Sequence, residues 1–279
     1  MTDELKGRVA LITGGGRGQG RSHALGLAGR GADIVIVDLA DDIASVPYPL
    51  SNENDLEVTA KLVRDLGARC LVQIADVRDG DAMHSAVAET QREFGRVDIL
   101  CANAGIFSFS SIEEMSDSTW QDMIDVNLTG IFNAFRAVAQ PMREQQWGRV
   151  IATASMAGRG GFAMISHYVA AKWGLIGLSK SFALEMAPHN VTVNVVAPTN
   201  VNSLMIQNPA IWKFFAPDVE NPTSEDAARV AAQMTGQGVP WIEPQDVTEA
   251  VLFLAQESSH RITGEVLHVS AGMGAFNTA

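Results

Sequence analysis

The stretch Thr13-Gly-Gly-Gly-Arg-Gly-Gln-Gly20, directly after the apolar run Val9-Ala-Leu-Ile12, decides the fold. An apolar strand that runs into a glycine turn and then into a helical pattern is the arrangement of a dinucleotide-binding turn. Gly14, Gly18 and Gly20 leave room for backbone N–H groups and the following helix terminus to approach a pyrophosphate, with Arg17 and Gln19 beside them. Glycines also serve purely steric turn needs, and it is the strand-turn-helix setting that favours a nucleotide.

Outward from this turn, apolar and β-branched runs recur at 34–37, 70–74, 97–102, 150–153, 191–196 and 266–269, making seven with the first. Ala-rich stretches of helical periodicity separate most of them. Near-continuous apolar strands covered by helices on both faces predict one α/β domain, a Rossmann-type doubly wound fold with a seven-stranded parallel sheet flanked by helices. A single domain over 1–279 suits a chain of 279 residues, 47% of them hydrophobic. Ligands then collect beyond the carboxyl ends of the strands, where Gly14, Asp38, Asn103, Ser155 and Pro198 fall.

Asp38 closes the second run at the distance from Gly14 expected of a carboxylate that accepts both hydrogen bonds of an adenosine ribose diol, with Leu39 next to it. The same carboxylate repels a 2'-phosphate, so NAD is expected rather than NADP. Arg17 is the opposing clue, since a cation there could neutralise that phosphate or form a surface ion pair. Asp76 and Val77 follow the third run and either hold the adenine edge or cap a helix. Asn103-Ala104-Gly105 follows the fourth run, where small residues permit close backbone approach and the Asn amide can tie loops together.

In Ser166-His-Tyr-Val-Ala-Ala-Lys172, Tyr168 and Lys172 stand one helical turn apart, so a phenol and an ammonium meet at one spot. That pairing is an acid/base device. Ser155 ends another apolar run, where a hydroxyl is presented at the sheet edge. Taken singly, these residues have ordinary readings: strand-end cap, core aromatic, snorkelling lysine.

The motifs Thr13-Gly14-x-x-x-Gly18-x-Gly20, Asn103-Ala104-Gly105, Asn127, Ser155 and Tyr168-x-x-x-Lys172 together resemble the short-chain dehydrogenase/reductase family over nearly the whole chain. The resemblance implies that Tyr168 is the general base in alcohol oxidation and the general acid in carbonyl reduction, with Ser155 bonded to the substrate oxygen. It gives Lys172 two jobs, favouring the phenolate and holding the nicotinamide ribose, and makes Asn127 part of a proton path to solvent. One departure is Ala197-Pro198-Thr199-Asn200, where the family usually has Pro-Gly. Pro198, Thr199 and Val201 are still expected to border the nicotinamide, with Ser203 as the nearest hydroxyl.

Gly18-Gln-Gly-Arg-Ser-His-Ala24 and the proline-bearing insertion over 39–55 resemble more closely the carveol-dehydrogenase-like actinobacterial branch associated with the redox cofactor mycofactocin. That likeness implies oxidation of terpenoid-like apolar secondary alcohols to ketones, with NAD held firmly. The insertion emerges beside Asp38 and is expected to cover the adenosine half. A region over 199–239 has the profile of a substrate lid, although its aromatics also suit a satellite core or a subunit contact. Phe107, Phe109, Met164, Met205 and Trp212 are the expected pocket walls. A steroid or polar cyclic alcohol is the alternative substrate, and a noncatalytic NAD-binding redox sensor the alternative class.

With 20 Lys and Arg against 32 Asp and Glu, the formal net charge is -12, and a polyanion such as nucleic acid would be repelled. No apolar run reaches membrane-spanning length, and the polar opening lacks a signal-peptide core, so a cytoplasmic protein is expected. Cys70 and Cys101 sit in apolar segments, and the histidines show no ligand spacing, so no metal is expected. The family resemblance implies a homo-oligomer, a tetramer rather than a dimer, to which the stretch 272–279 could contribute.

Overall fold

Apolar and β-branched residues dominate the segments that form strands in the computed structural model, which describes residues 4–276. The strands are β1 (Val9–Thr13), β2 (Asp33–Asp38), β3 (Cys70–Ile74), β4 (Ile99–Ala102), β5 (Gly148–Thr153), β6 (Val191–Pro198) and β7 (Val266–Val269). They form one parallel sheet in the order β3-β2-β1-β4-β5-β6-β7. This is the seven-stranded Rossmann-type architecture expected from the runs. After β3 the chain crosses back to place β4 on the other side of β1, and a crevice opens at that reversal.

Side chains alternate across the pleat, so each strand feeds two cores. In β1, Val9 and Leu11 enter one, while Ala10 and Ile12 enter the other. Helices α1 (Gly18–Ala28) and α2 (Glu53–Asp65) cover the second face. Helices α3 (Gly80–Phe94), α4 (Asp117–Ile124), α5 (Gly130–Gln145) and α6 (Ser166–Met186) cover the first. Asn52 and Asp55 cap α2 reciprocally. Asp79 caps α3 by accepting from the Asp81 and Ala82 amides, so the capping role left open for Asp76 falls to its neighbour.

The 199–239 region carries α7 (Pro209–Phe215) and α8 (Ser224–Ala232), and α9 (Pro244–Ala255) then returns against α1. Of the expected insertion, the part before Glu53 is an irregular loop and the remainder is the first turn of α2. The loop is fastened at several points. Ser45 Oγ donates to Asp122 Oδ2 at 2.7 Å, and Ser51 Oγ to Asp38 Oδ1 at 2.5 Å. Its Tyr48 is buried in a third apolar cluster with Phe107, Ile165 and Ile211, against which Tyr168 and Phe214 pack. The end of the stretch offered as a subunit contact, 277–279, lies outside the described residues.

Candidate active site

Ser155 follows β5 and opens a short turn, its Oγ accepting from Ala157 N–H at 3.2 Å. Tyr168 and Lys172 project from the first turns of α6 and line the same cavity as Ser155. Lys172 Nζ lies 5.5 Å from the centre of the Tyr168 ring and donates to the Thr153 carbonyl at 2.8 Å. Burial moves both titrations toward neutral forms. It pushes the Tyr168 phenol up to about 12, against the smaller opposite effect of the Ser155 hydroxyl, and pulls the Lys172 amine down to about 7.

Asn127 sits in a single π-turn (Asp125–Thr129) between α4 and α5, an irregularity that frequently marks functional sites. Its Nδ2 donates to the carbonyls of Ile106 at 3.1 Å and Met123 at 3.2 Å. Its Oδ1 is buried without a partner. Gly105 borders that oxygen: a Cβ there would stand 2.8 Å from Asn127 Oδ1 and 3.6 Å from Lys172 Nζ. The structure therefore brings Asn127, Ser155, Tyr168 and Lys172 to one wall.

That wall belongs to the second of two cavities that share Gln19, Asn103, Gly105, Ser203 and Met205. The first, about 400 Å³, is lined by Gly14, Arg17, Gly18, Gln19, Gly20, Asp38, Leu39, Asp76, Val77, Asn103, Ala104 and Gly105, together with the insertion. Gly14 has φ of +66°, and a Cβ on it would come 2.8 Å from Ala104 Cα. A Cβ on Gly20 would meet the Gly14 carbonyl at 2.0 Å, so the start of α1 presses directly on the turn. Asn103 ties the floor together, donating Nδ2 to the Thr13 carbonyl at 3.2 Å and accepting from Thr153 Oγ1 at 3.3 Å.

Asp38 accepts from Gly16 N–H at 2.9 Å, from Ser51 and from Ala40 N–H at 3.3 Å, so a carboxylate with about four lone-pair sites retains room for about one ribose hydroxyl without giving up a loop contact. Arg17 is bonded to the Pro49 carbonyl of the insertion, which favours a structural tether over a phosphate clamp. Asp76 is paired with Arg78 at 2.6 Å, so its carboxylate is committed while it borders the cavity. The glycine cradle, the acidic end of β2 and a buried, unpartnered Gln19 Oε1 at the junction fit an NAD-type dinucleotide.

The second cavity, about 310 Å³, runs from Ser155, Tyr168 and Lys172 past Pro198, Thr199 and Val201 to an apolar wall. Phe107 and Met205 line it. Phe109 stands behind Phe214, ring centres 5.2 Å apart, and is not among the lining residues. Met164 lies on the surface at 43% exposure, and Trp212 also lies off the cavity. The α7 residues that reach it are Phe214 and Phe215, which with the fully buried Ile211 follow the i, i+3, i+4 spacing of one helix face. That spacing was the readable signal, and Trp212 sits a third of a turn away from it. Met234 and Met273 also line the cavity from segments distant in sequence, with no local signature.

A family model described as short chain dehydrogenase matches residues 8–213. The chain belongs to the short-chain dehydrogenase family. It is 45% identical over 270 residues to the (-)-trans-carveol dehydrogenase of Rhodococcus erythropolis, covering 96% of this chain and 98% of that one. The crystal structure of carveol dehydrogenase from Mycobacterium avium in complex with NAD superposes with a TM-score of 0.95 at 42% identity, over 97% of this chain and 98% of the other. A short chain dehydrogenase from Mycobacterium paratuberculosis bound to NAD gives 0.89 at 31% identity, over 98% and 99% of the two chains.

Among the described residues, no helix is long and apolar enough to cross a membrane. No group of three His, Cys, Asp or Glu there could hold a metal. Burial raises the Cys70 and Cys101 thiols to about 11 and about 12, which leaves neither a ready nucleophile.

Proposed function

We propose that this chain is an NAD-dependent oxidoreductase that interconverts an apolar secondary alcohol, terpenoid or carveol-like, and its ketone. The observation that carries the reading is the gathering of Ser155, Tyr168 and Lys172 on the wall of an apolar cavity that adjoins a glycine-walled one. Bound NAD supplies the hydride acceptor and the positive charge of its oxidised nicotinamide. Gly14, Gly18, Gln19, Gly20, Asp38, Leu39, Val77 and Asn103–Gly105 would hold its adenosine and pyrophosphate, with Arg17 and Asp76 bordering them. Lys172, Tyr168, Pro198, Thr199 and Val201 would border its nicotinamide half.

In oxidation, Ser155 Oγ and Tyr168 Oη grip the alcohol oxygen and Tyr168 takes its proton. A phenol at about 12 is a poor base at neutral pH, so the phenolate must be favoured only once the site is filled. Lys172 is placed to contribute then: an amine at about 7 takes a proton readily when an acidic neighbour develops beside it. Asn127, whose Oδ1 is buried without a partner, would hold a water that carries that proton outward from Lys172. The apolar wall of Phe107, Met205, Phe214 and Phe215 excludes water and fits a hydrocarbon ring better than a sugar.

The finer reading places the chain in the mycofactocin-associated branch, a cytoplasmic enzyme whose insertion retains NAD while electrons leave to an external acceptor. What supports it is the latching of the insertion at Asp38, Arg17 and Asp122. A homo-oligomer, tetramer before dimer, is supported by the exposed Phe132, Trp173 and Leu184 on α5 and α6. The test is a panel of cyclic terpenoid, steroid and polyol alcohols assayed with NAD and NADP, beside a native mass measurement. NAD-linked oxidation of the terpenoids is expected. Turnover confined to polyols, or a preference for NADP, rejects the reading.

A further inference from the structure

The insertion is hydrogen-bonded to the catalytic wall at the Ile106–Phe107 peptide. Tyr48, 6% exposed, accepts a hydrogen bond of 2.9 Å at its hydroxyl from the Phe107 N–H. The carbonyl of that same peptide, on Ile106, accepts the 3.1 Å bond from Asn127 Nδ2. Because a peptide is planar, fixing its N–H fixes the direction of its C=O. With Nδ2 also bonded to Met123, both amide hydrogens of Asn127 are used, and its oxygen is left beside Gly105 and Lys172. The Phe107 ring meets the Tyr168 ring edge-on at 5.1 Å.

We propose that Tyr48 is a positioning residue for hydride transfer: its hydroxyl fixes the Ile106–Phe107 peptide, which orients Asn127 toward Lys172 and seats Tyr168. The insertion is thereby part of the proton-handling apparatus as well as a wall of the dinucleotide cavity, which Tyr48 also lines. The inference rests on the alcohol dehydrogenase reading above. Among the described residues no hydrogen bond joins Tyr48 to Tyr168, and the hydrogen-bonded route from Tyr48 runs through the Ile106–Phe107 peptide to Asn127.

The test is Tyr48→Phe, which keeps the ring in the apolar cluster and removes the acceptor. A buried N–H without its partner is a substantial local penalty, so the peptide should relax and kcat should fall about tenfold. The pH dependence of kcat should be displaced, while the dissociation constant for NAD stays within about twofold. A kcat–pH profile that superimposes on that of the native enzyme overturns the proposal, because loss of packing alone lowers stability without moving a titration. Hydrogen exchange of the Phe107 amide in the native enzyme needs neither substrate nor variant. Strong protection is expected, and rapid exchange overturns the clamp even if Tyr48→Phe does not fold. A native enzyme that oxidises no alcohol rejects the functional reading instead, whatever the exchange rate.

Discussion

Ser51 donates a 2.5 Å hydrogen bond to Asp38, so the insertion is latched onto the carboxylate that ends β2. Both roles of Asp38, holding the loop and facing a ribose diol, draw on the same two oxygens. Asp38→Ala should therefore lower the preference for NAD over NADP at least about tenfold, through loss of the repulsive charge, and should also loosen the loop. Ser51→Ala should loosen the loop while leaving the preference within about twofold. Dissociation constants for the two nucleotides check this, and an unchanged preference in Asp38→Ala would shift the discrimination to Arg17.

Tyr168→Phe should retain the fold and NAD binding and lose at least about a hundredfold in turnover, as removal of a general base does. Near-normal turnover would sink the mechanism. The chain has only two tyrosines, so Tyr48→Phe leaves Tyr168 as the sole phenol for an ultraviolet titration. In the empty enzyme its absorbance change should not appear below the ordinary phenol range of about 10, because burial pushes Tyr168 up to about 12. Adding oxidised NAD should move the change to lower pH. A midpoint indifferent to NAD would contradict activation of the phenol by the filled site.

Much of this was legible in the sequence because it is local. The seven runs, the glycine turn and the Tyr168–Lys172 spacing each follow from periodicity within a few residues. Asn127 was legible only through the order of motifs, since a π-turn has no periodic signature. The pocket wall was less legible because it is assembled from distant segments. Met273 reaches it from beyond β7, where Thr199 Oγ1 contacts its sulfur at 3.3 Å, and no spacing announces such a contact. On α7, Trp212 was the expected wall, whereas helix phase selects Phe214.

That phase argument is testable. Phe214→Ala removes a ring that lines the cavity and packs on Phe107 at 5.9 Å, so kcat/KM for an apolar cyclic alcohol should fall about tenfold or more. Trp212→Ala should leave kcat/KM within about twofold and act on thermal stability. Equal kinetic losses in the two variants would place the α7 wall differently.

Stability should depend on pH in a direction set by buried bases. His23 is fully buried, bonded through Nδ1 to Thr248 Oγ1 at 2.8 Å, and burial lowers its pKa from 6.5 to about 3. The unfolded chain takes up a proton below about 6.5 that the folded chain refuses until about 3, so stability present above 6.5 is lost as the pH falls through that window. Burial lowers His167 and His268 as well, and they add in the same direction. Lys172 extends the trend: the unfolded amine keeps its proton to about 10.5 and the folded one to about 7, so the empty enzyme should gain stability as the pH rises from 7 to about 9, above which the raised Cys70 and Cys101 thiols act in the opposite direction. Melting temperatures at successive pH values check both, and His23→Gln should lose less than the native chain between pH 7 and 5. An equal loss would remove His23 from the account.

The insertion offers a kinetic prediction. Its prolines lower the entropy of ordering the loop, Ile43 and Tyr48 are buried under it, and Leu50 and Ser51 border the dinucleotide cavity. Arg17 reaches from the glycine turn to the Pro49 carbonyl, so the loop is held to the cradle from both sides of the cavity. On the cover proposed above, NAD leaving the cavity breaks these contacts first, and its release should be slow. Shortening the loop between Ala44 and Ser45 at one end and Pro49 and Leu50 at the other removes Tyr48 together with the cover, so its effect on kcat mixes two causes. Release is the clean readout, because cofactor displacement followed by stopped flow needs no turnover. It should quicken by about tenfold or more, while Tyr48→Phe, which keeps the cover, should release NAD at the native rate. If the loop serves only subunit packing, the shortened variant changes its native mass and releases NAD no faster from the intact oligomer. An unchanged release rate in a correctly assembled variant would end the cover hypothesis and leave the clamp on the Ile106–Phe107 peptide as the insertion's remaining contribution to the site.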